Sequence, residues 1–544
     1  MVKPLNFAIT YTADSFSTAG KIMGRQSAGQ GLLKAIVDTW PNGDLHALGL
    51  FPGEADQMRD QLLGWNFKGH TQWHRGYLHG RGAALDALYW PAPVNDRIAH
   101  LRNSRGPASQ SLFGVTHTLS SRDAMDTVSR QTMAPFQPWD ALICTSQVAY
   151  DVVTRLQAEY RDWAAAHLGA TRFVDLKLPV IPLGADLEAL RRTPASIARA
   201  RTSLGLAADE TAFLFAGRLV FHAKANPAPL YQALEAVARR TGRKLVMIEA
   251  GVFPAQAVSN TYRAAQQALA PSVRFLHVDG ADPAAYAGAW QAADVFTSLS
   301  DNIQETFGLT PVEAMAAGLP VLVSDWNGYK DTVRDGIDGF RITTISAPPG
   351  AGGDLAFRYA AEIDSYDHFV GRVSMSTVVD IDQLTDRVAL LVEDPALRQR
   401  LGAAGRARAK AEFSWSRIVL RYVDLARELG ELRRAAPPQA NIPWPTRPDP
   451  FELFQSYPTQ VLDLNAPVAA RAAGDLALDA LLDLGMANAL LDAFTPHDTI
   501  RALHRQAQTG EQTAAALLDA CGGPTPGAIR SLMWLAKFGL LRLG

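Results

Sequence analysis

Two glutamates, Glu305 and Glu313, frame the start of the stretch ETFGLTPVEAMAAGLPVLVSDWNGYKD, with a glycine and a proline between them where an apolar helix should begin. Glu313 has a structural explanation. Thr310 can serve as N-cap, Pro311 suits the first helical position, and Glu313 then completes a capping box. Glu305 has no such explanation. The free N–H groups of Phe307, Gly308 and Leu309, with the positive end of the helix dipole, suit an anion such as phosphate, and Gly308 lets the backbone come close. A carboxylate beside an anion site repels the anion unless it has another task, and carboxylates accept well from vicinal hydroxyls. A ligand that carries both phosphate and sugar, a nucleotide sugar, satisfies both features.

Cations for such a ligand stand in FAGRLVFHAKANP, where Arg218 and Lys224 lie six residues apart across a strand-to-loop turn. Arginine offers a planar fork and lysine a mobile point charge, so the two can converge on a diphosphate. Sites that use a metal for this purpose hold it with an Asp-x-Asp pair, and no such pair stands at a convincing strand end here, so no metal ligand is expected. His117, in GVTHTLSS, closes another apolar run; a lone histidine in that position is more often structural than catalytic.

These residues need a scaffold. Before the glutamates, AADVFTSLSDN reads as a buried strand entering a polar loop; after them come a short helix, the apolar run LPVLVSD and the turn NGYKD. A strand, loop, helix, strand unit puts its loop at the carboxyl edge of a parallel sheet, where ligands of α/β sheets bind. The same alternation fills residues 1 to about 430. NFAITYT, DLHALGLF, SLFGVTHT, DALICTS and LPVIPLGAD read as strands of one domain, with a helix SAGQGLLKAIVDTW capped at Ser27. After the basic helix RRTPASIARARTSLG, a fresh series begins with TAFLFAG and runs through KLVMIEAG, VRFLHV, ADVFTSL and LPVLVSD. Residues 344–378 read as an inserted loop.

Glu305 and Glu313 with FGL between them and EAMAAGLPVL following resemble the signature of glycosyltransferase family 4 (glycosyl transferases group 1), and the likeness spans roughly residues 1–430, strongest over 216–340. The resemblance implies an α/β GT-B fold, two Rossmann-like domains facing a cleft. It implies a retaining glycosyltransferase, hexosyl or N-acetylhexosaminyl, that moves a sugar from a UDP- or GDP-linked donor without a metal or other cofactor. Attack would come from the front face with no enzyme nucleophile. On this reading Arg218 and Lys224 bind the donor diphosphate with the N–H groups of Phe307, Gly308, Leu309 and Thr310. Glu305 holds the sugar hydroxyls and Glu313 the ribose diol, and His117 polarises or positions the sugar from across the cleft. Catalytic work falls to His117, Arg218, Lys224 and Glu305. The sequence departs from the family where a Gly-Gly pair usually precedes the first helix: Gly24 is followed by Arg25. Gly24 can still present an N–H to the donor or acceptor, and Gly20 is a weaker candidate.

The expected domains are an N-terminal Rossmann-like acceptor domain (1–187), a C-terminal Rossmann-like nucleotide-sugar domain (188–405), a crossover helix (406–433), a proline-rich linker (434–459) and a helical module (460–544). The module is Ala/Leu-rich without strand alternation, and its last stretch resembles the final helix of a winged-helix module. Acidic residues outnumber basic ones there, so protein contact is favoured over nucleic acid. At 544 residues, 48% hydrophobic and 19% charged, with a formal net charge of -2, the chain suits several globular cores and has no global attraction to nucleic acid or anionic lipid. Its two cysteines, Cys144 and Cys521, fit a reducing compartment, and no run approaches a bilayer span. Cytoplasm is therefore expected, with peripheral contact at the inner membrane face left open. The acceptor, whether glycan, lipid or protein, stays open. So do two other classes: a nucleotide-sugar epimerase or hydrolase, and a non-catalytic sugar-nucleotide-binding or assembly subunit acting through 460–544.

Overall fold

Short runs such as FAIT and VFTS, buried at every position, become strands of two parallel sheets, as the near-continuous apolar character of parallel strands requires. The computed structural model describes residues 3–17, 24–49, 51–76, 78–471 and 477–544. It divides into two units, Met1–Pro443 and Trp444–Gly544.

In the first unit, β1 (Phe7–Thr10), β2 (Asp44–Gly49), β3 (His70–Arg75), β4 (Ala87–Tyr89), β5 (Ser111–Val115) and β6 (Ala141–Ile143) form one sheet in the order β3-β2-β1-β4-β5-β6, all parallel. β7 (Glu210–Ala216), β8 (Lys244–Gly251), β9 (Arg274–Asp279), β10 (Val295–Ser298), β11 (Val321–Ser324) and β12 (Gly339–Ile342) form the second, β12-β11-β10-β7-β8-β9, also parallel. Read from its other edge, the second order repeats the first. The chain reverses direction across each sheet between β1 and β4 and between β7 and β10, which opens a crevice at their carboxyl ends. Arg218 follows β7 and Glu305 follows β10; His117 follows β5, beside β4.

The helix Trp415–Ala435 returns to the first sheet as expected, with Tyr422 against Tyr89 and Phe113 at ring separations of 5.7 and 6.0 Å. Its Trp415 lies so close to Gly31 and Gly184 that an added Cβ would stand 2.2 and 2.4 Å from the indole. Both positions therefore admit only glycine. Buried Arg102 clamps Asp140 through two bonds of 3.0 and 2.9 Å, and Asp140 also accepts from the Leu112 N–H, which ties β5 to the segment entering β6.

Several expectations are corrected. LPVIPLGAD makes isolated bridges at Val180 and Ala185 and no strand, because Pro179 and Pro182 lack the N–H a ladder needs. Ser27 lies inside the helix Gly24–Thr39 and does not cap it. Gly20 lies outside the described residues. The boundary drawn at 405 falls inside the helix Pro395–Glu412, and the linker drawn from 434 begins within the helix that ends at Ala435. Residues 344–378 are not a loop. β13 (Thr344–Ser346) and β14 (Thr377–Val379) pair antiparallel and enclose the helices Gly353–Ala360 and Tyr366–Ser374.

The second unit has its own core, including Val468, Ile500, Leu503, Leu517 and Leu532. Contrary to the strandless reading, β15 (Pro467–Ala470) lies between β16 (Gln512–Thr513) and β17 (Leu541–Leu543) in an antiparallel sheet. The helices His497–Ala507, Ala514–Asp519 and Pro526–Lys537 pack with it, in an order resembling a winged helix. Among the described residues no helix is long and apolar enough to cross a membrane.

Candidate functional site

The crevice of the second sheet brings Lys224 and Glu305 together. Lys224 Nζ lies 2.5 Å from Glu305 Oε2, with side chains 20% and 18% exposed. They are 81 residues apart in sequence, and the contact exists because β7 and β10 are neighbours. Burial pushes the Glu305 carboxyl up, but Lys224 and the backbone N–H groups of Phe307 and Thr306 outweigh it and hold the pKa below the ordinary value. Lys224 shows the mirror image: burial pulls it down, and Glu305 and Tyr329 carry it above its ordinary value. The pair is therefore charged across the physiological range. Arg218 stands near enough to Lys224 to oppose its charge, is half-buried, and its guanidinium makes no hydrogen bond or ion pair among the described residues. An unpaired guanidinium beside an ion pair is a ready partner for an anion.

The helix after Glu305 starts differently from its sequence reading. It runs Leu309–Ala317, its N-cap is Gly308 at φ +83°, and no side chain caps it. Thr310 is thus the second helical residue and Glu313 the fifth, so the capping box does not form. Thr310 Oγ1 is buried without a hydrogen-bond partner among the described residues. The Phe307 N–H lies near enough to the Glu305 carboxylate to help hold its charge. Gly308 and Leu309 remain at an uncapped helix start. A Cβ at Gly308 would stand 2.0 Å from the Tyr329 ring, whose hydroxyl lies 2.8 Å from Ser298 Oγ. With the left-handed backbone added, Gly308→Ala should cost about 2–4 kcal/mol. Thermal unfolding should show a clear drop in midpoint; an unchanged midpoint would contradict this packing.

Freed from capping, Glu313 is half-buried and makes no hydrogen bond among the described residues. Burial pushes its pKa up to about 7, against a weaker pull from Lys224. Its carboxyl is an acceptor site waiting for a donor.

His117 faces the same crevice from the other lobe, joined to it through Thr306, whose hydroxyl donates to the His117 carbonyl at 2.7 Å. Its ring Nε2 donates to the Pro91 carbonyl at 2.9 Å, and burial pulls its pKa down to about 4. A neutral ring with Nε2 protonated leaves Nδ1 as an acceptor only, so His117 can receive a hydroxyl hydrogen bond but cannot polarise as a cation. Beside it, Arg25, Leu32, Tyr89, Trp415 and Tyr422 line a small pocket. Arg25 is ion-paired with Asp14. Gly24 lies at the first described position of its helix, with nothing among the described residues within 4 Å of an added Cβ.

Tyr329 and the buried Asn302 and Asp301 were not singled out from sequence. Asn302 Nδ2 donates to the His222 carbonyl at 2.8 Å and pins the loop that carries Lys224. Burial pushes Asp301 up to about 7. The signal for Asp301 and Asn302 was the length of SLSDNIQE, too long to be a simple turn.

Residues 196–347 match the family described as glycosyl transferases group 1. D-inositol 3-phosphate glycosyltransferase of Nocardia farcinica is 33% identical over 30% of this chain and 36% of that protein. The same-named protein of Thermobispora bispora is 27% identical over 67% of this chain and 75% of its own length. The matches span 36%, 48% and 40% of the first three curated relatives, less than half of each. The crystal structure of a glycosyltransferase from Rickettsia africae ESF-5 aligns at TM-score 0.51 and 11% identity, over 78% of this chain and 98% of that one, a likeness of fold. Residues 196–347 thus resemble the glycosyl transferases group 1 family, within a fold of two Rossmann-like domains of GT-B type.

Proposed function

We propose that this protein transfers a sugar from a nucleotide diphosphate sugar, UDP- or GDP-linked, to a hydroxyl acceptor, with retention at the anomeric carbon and without a metal. The observation that carries the reading is the charged Lys224–Glu305 pair at 2.5 Å beside two polar groups without partners among the described residues, Arg218 and Glu313. Arg218, Lys224 and the uncapped helix start at Gly308 neutralise the diphosphate as the bond from sugar C1 to phosphate oxygen breaks. The acceptor oxygen forms the new bond to C1, and its proton leaves on the departing diphosphate. Glu305, held ionised, accepts from sugar hydroxyls on one side while Lys224 serves the phosphate on the other. Glu313 accepts from the ribose diol. His117 Nδ1 accepts a sugar hydroxyl from across the cleft, and the pocket beside it, with aromatic walls and Arg25 at its edge, suits an acceptor.

Purified protein given radiolabelled UDP- and GDP-sugars with candidate acceptors tests this directly. Label moving to an acceptor supports transfer, and release of free sugar or its epimer alone would favour hydrolysis or epimerisation. Nucleotide binding without any consumption would favour a sensor. Because two cations and a helix start supply the positive charge, activity should persist in excess EDTA. Complete loss that magnesium or manganese restores would contradict that part of the reading.

A further inference from the structure

The helical hairpin between β13 and β14 touches each part of the crevice. On the nucleotide side, Val370, fully buried, packs with Val220 and Ala223 of the loop between Arg218 and Lys224, and Ile303, two residues before Glu305, joins the same cluster. Asn302 Nδ2 ties the loop to the hairpin at 2.8 Å from the His222 carbonyl and 3.5 Å from the Val370 carbonyl. On the other lobe, Tyr366 Oη lies 2.9 Å from Thr118 Oγ1 and 2.8 Å from Ser120 Oγ, in the turn that follows His117. The Arg122 N–H donates to Tyr359 Oη at 3.3 Å, its guanidinium lies 5.3 Å over the Tyr359 ring, and it pairs with Glu362 at 2.8 Å. Tyr359 stacks on Phe369 at 4.6 Å. The Arg122–Glu362 pair is 48% and 74% exposed and contributes little, whereas Ser120 is 8% exposed, so the Tyr366 bonds are the stronger link.

We infer that this hairpin is a clasp from the nucleotide lobe to the opposite lobe, and that Tyr366 is a positioning residue: its hydroxyl fixes the Thr118–Ser120 turn and thereby holds His117 in register with Lys224 and Glu305. The inference rests on the donor-cleft reading above. A single short helix then sets the relative placement of the three groups that meet a donor sugar. Since Tyr366 touches none of the residues assigned to phosphate or ribose, it acts on turnover and leaves nucleotide affinity alone.

The test is Tyr366→Phe in the full chain, which keeps the ring and removes both hydrogen bonds. Turnover is measured with whichever of UDP-glucose and GDP-mannose the wild type consumes, beside calorimetric titration with UDP and GDP, thermal unfolding, and amide hydrogen exchange of residues 116–121. The expected result is a kcat lowered about 10-fold, with KM and nucleotide affinity within about 2-fold and the unfolding midpoint nearly unchanged. Exchange in 116–121 should be faster, and Thr118→Val with Ser120→Ala should give the same loss without adding to that of Tyr366→Phe. Unchanged kcat with unchanged exchange would overturn the inference, and so would parallel losses of kcat, nucleotide binding and stability. If the wild type binds neither UDP nor GDP, the donor-cleft reading fails by itself. Exchange in 116–121 still decides the clasp: acceleration sustains it and no change removes it.

Discussion

Arg218→Ala should lower turnover about 100-fold or more, the scale of removing one preorganised charge-stabilising donor, while the unfolding midpoint stays within a degree or two. The two halves of this expectation have different sources. The loss comes from the diphosphate, which needs positive charge most when the glycosidic bond is broken. The unchanged stability comes from the protein itself, because the Arg218 guanidinium has no partner among the described residues to lose. Lys224→Ala should lose as much activity but behave differently in unfolding. It strips a partly buried carboxylate of its counter-ion at 2.5 Å, so stability should fall too, and Glu305 should bind a proton more readily. Kinetics with thermal unfolding on both variants checks the contrast. Near-normal turnover in Arg218→Ala with an intact fold would remove the diphosphate assignment.

Glu313→Gln should weaken UDP or GDP binding and at the same time stabilise the unliganded protein. Its carboxyl titrates near 7 when folded and near the ordinary glutamate value when unfolded. Below both values the residue is protonated in either state and contributes nothing. As pH rises between them, only the unfolded chain releases the proton, so stability is lost, and above about 7 the penalty is constant. The amide removes that penalty, which amounts to about 2 kcal/mol once its partial exposure is allowed for. Gln should therefore raise the unfolding midpoint at pH 8 and leave it unchanged at pH 4.5. Nucleotide affinity moves the other way. If the ribose diol donates to a carboxylate, wild-type affinity should weaken up to about 8-fold from pH 7.5 to 6 as Glu313 takes up its proton. The Gln variant should be weaker at pH 7.5 and lose that part of the slope. Glu305→Gln offers the control: it should lower turnover of the intact donor and spare the affinity for free nucleotide diphosphate.

The readability of this chain follows physical lines. Most strands of the two sheets were legible because a parallel strand is buried on both faces and shows as an apolar run, as in LVMI of β8, whereas the polar, half-exposed β3 and the short β4 and β12 were not read as strands. The residues at their carboxyl ends were legible as candidates because charge and glycine at those points have few structural uses. What sequence could not show was pairing. That Lys224 meets Glu305 depends on β7 lying beside β10, a fact of topology. The capping box at Thr310 and Glu313 was misread because Gly308, in a left-handed conformation, starts the helix two residues earlier than Thr310 would. The hairpin within 344–379 was hidden by SAPPGAGG and by helices of eight and nine residues, too short for periodicity to declare itself. In the last unit, strands of two to four residues carry too few positions to alternate.

Calorimetric titration of UDP and GDP into wild-type protein and Arg218→Ala, at pH 7.5 in EDTA, tests the central claim most directly. The account predicts that one of the two nucleotides binds the wild type without metal and that its affinity falls at least about 10-fold in Arg218→Ala. Absence of binding by both nucleotides, or equal affinity in the two proteins, would contradict it.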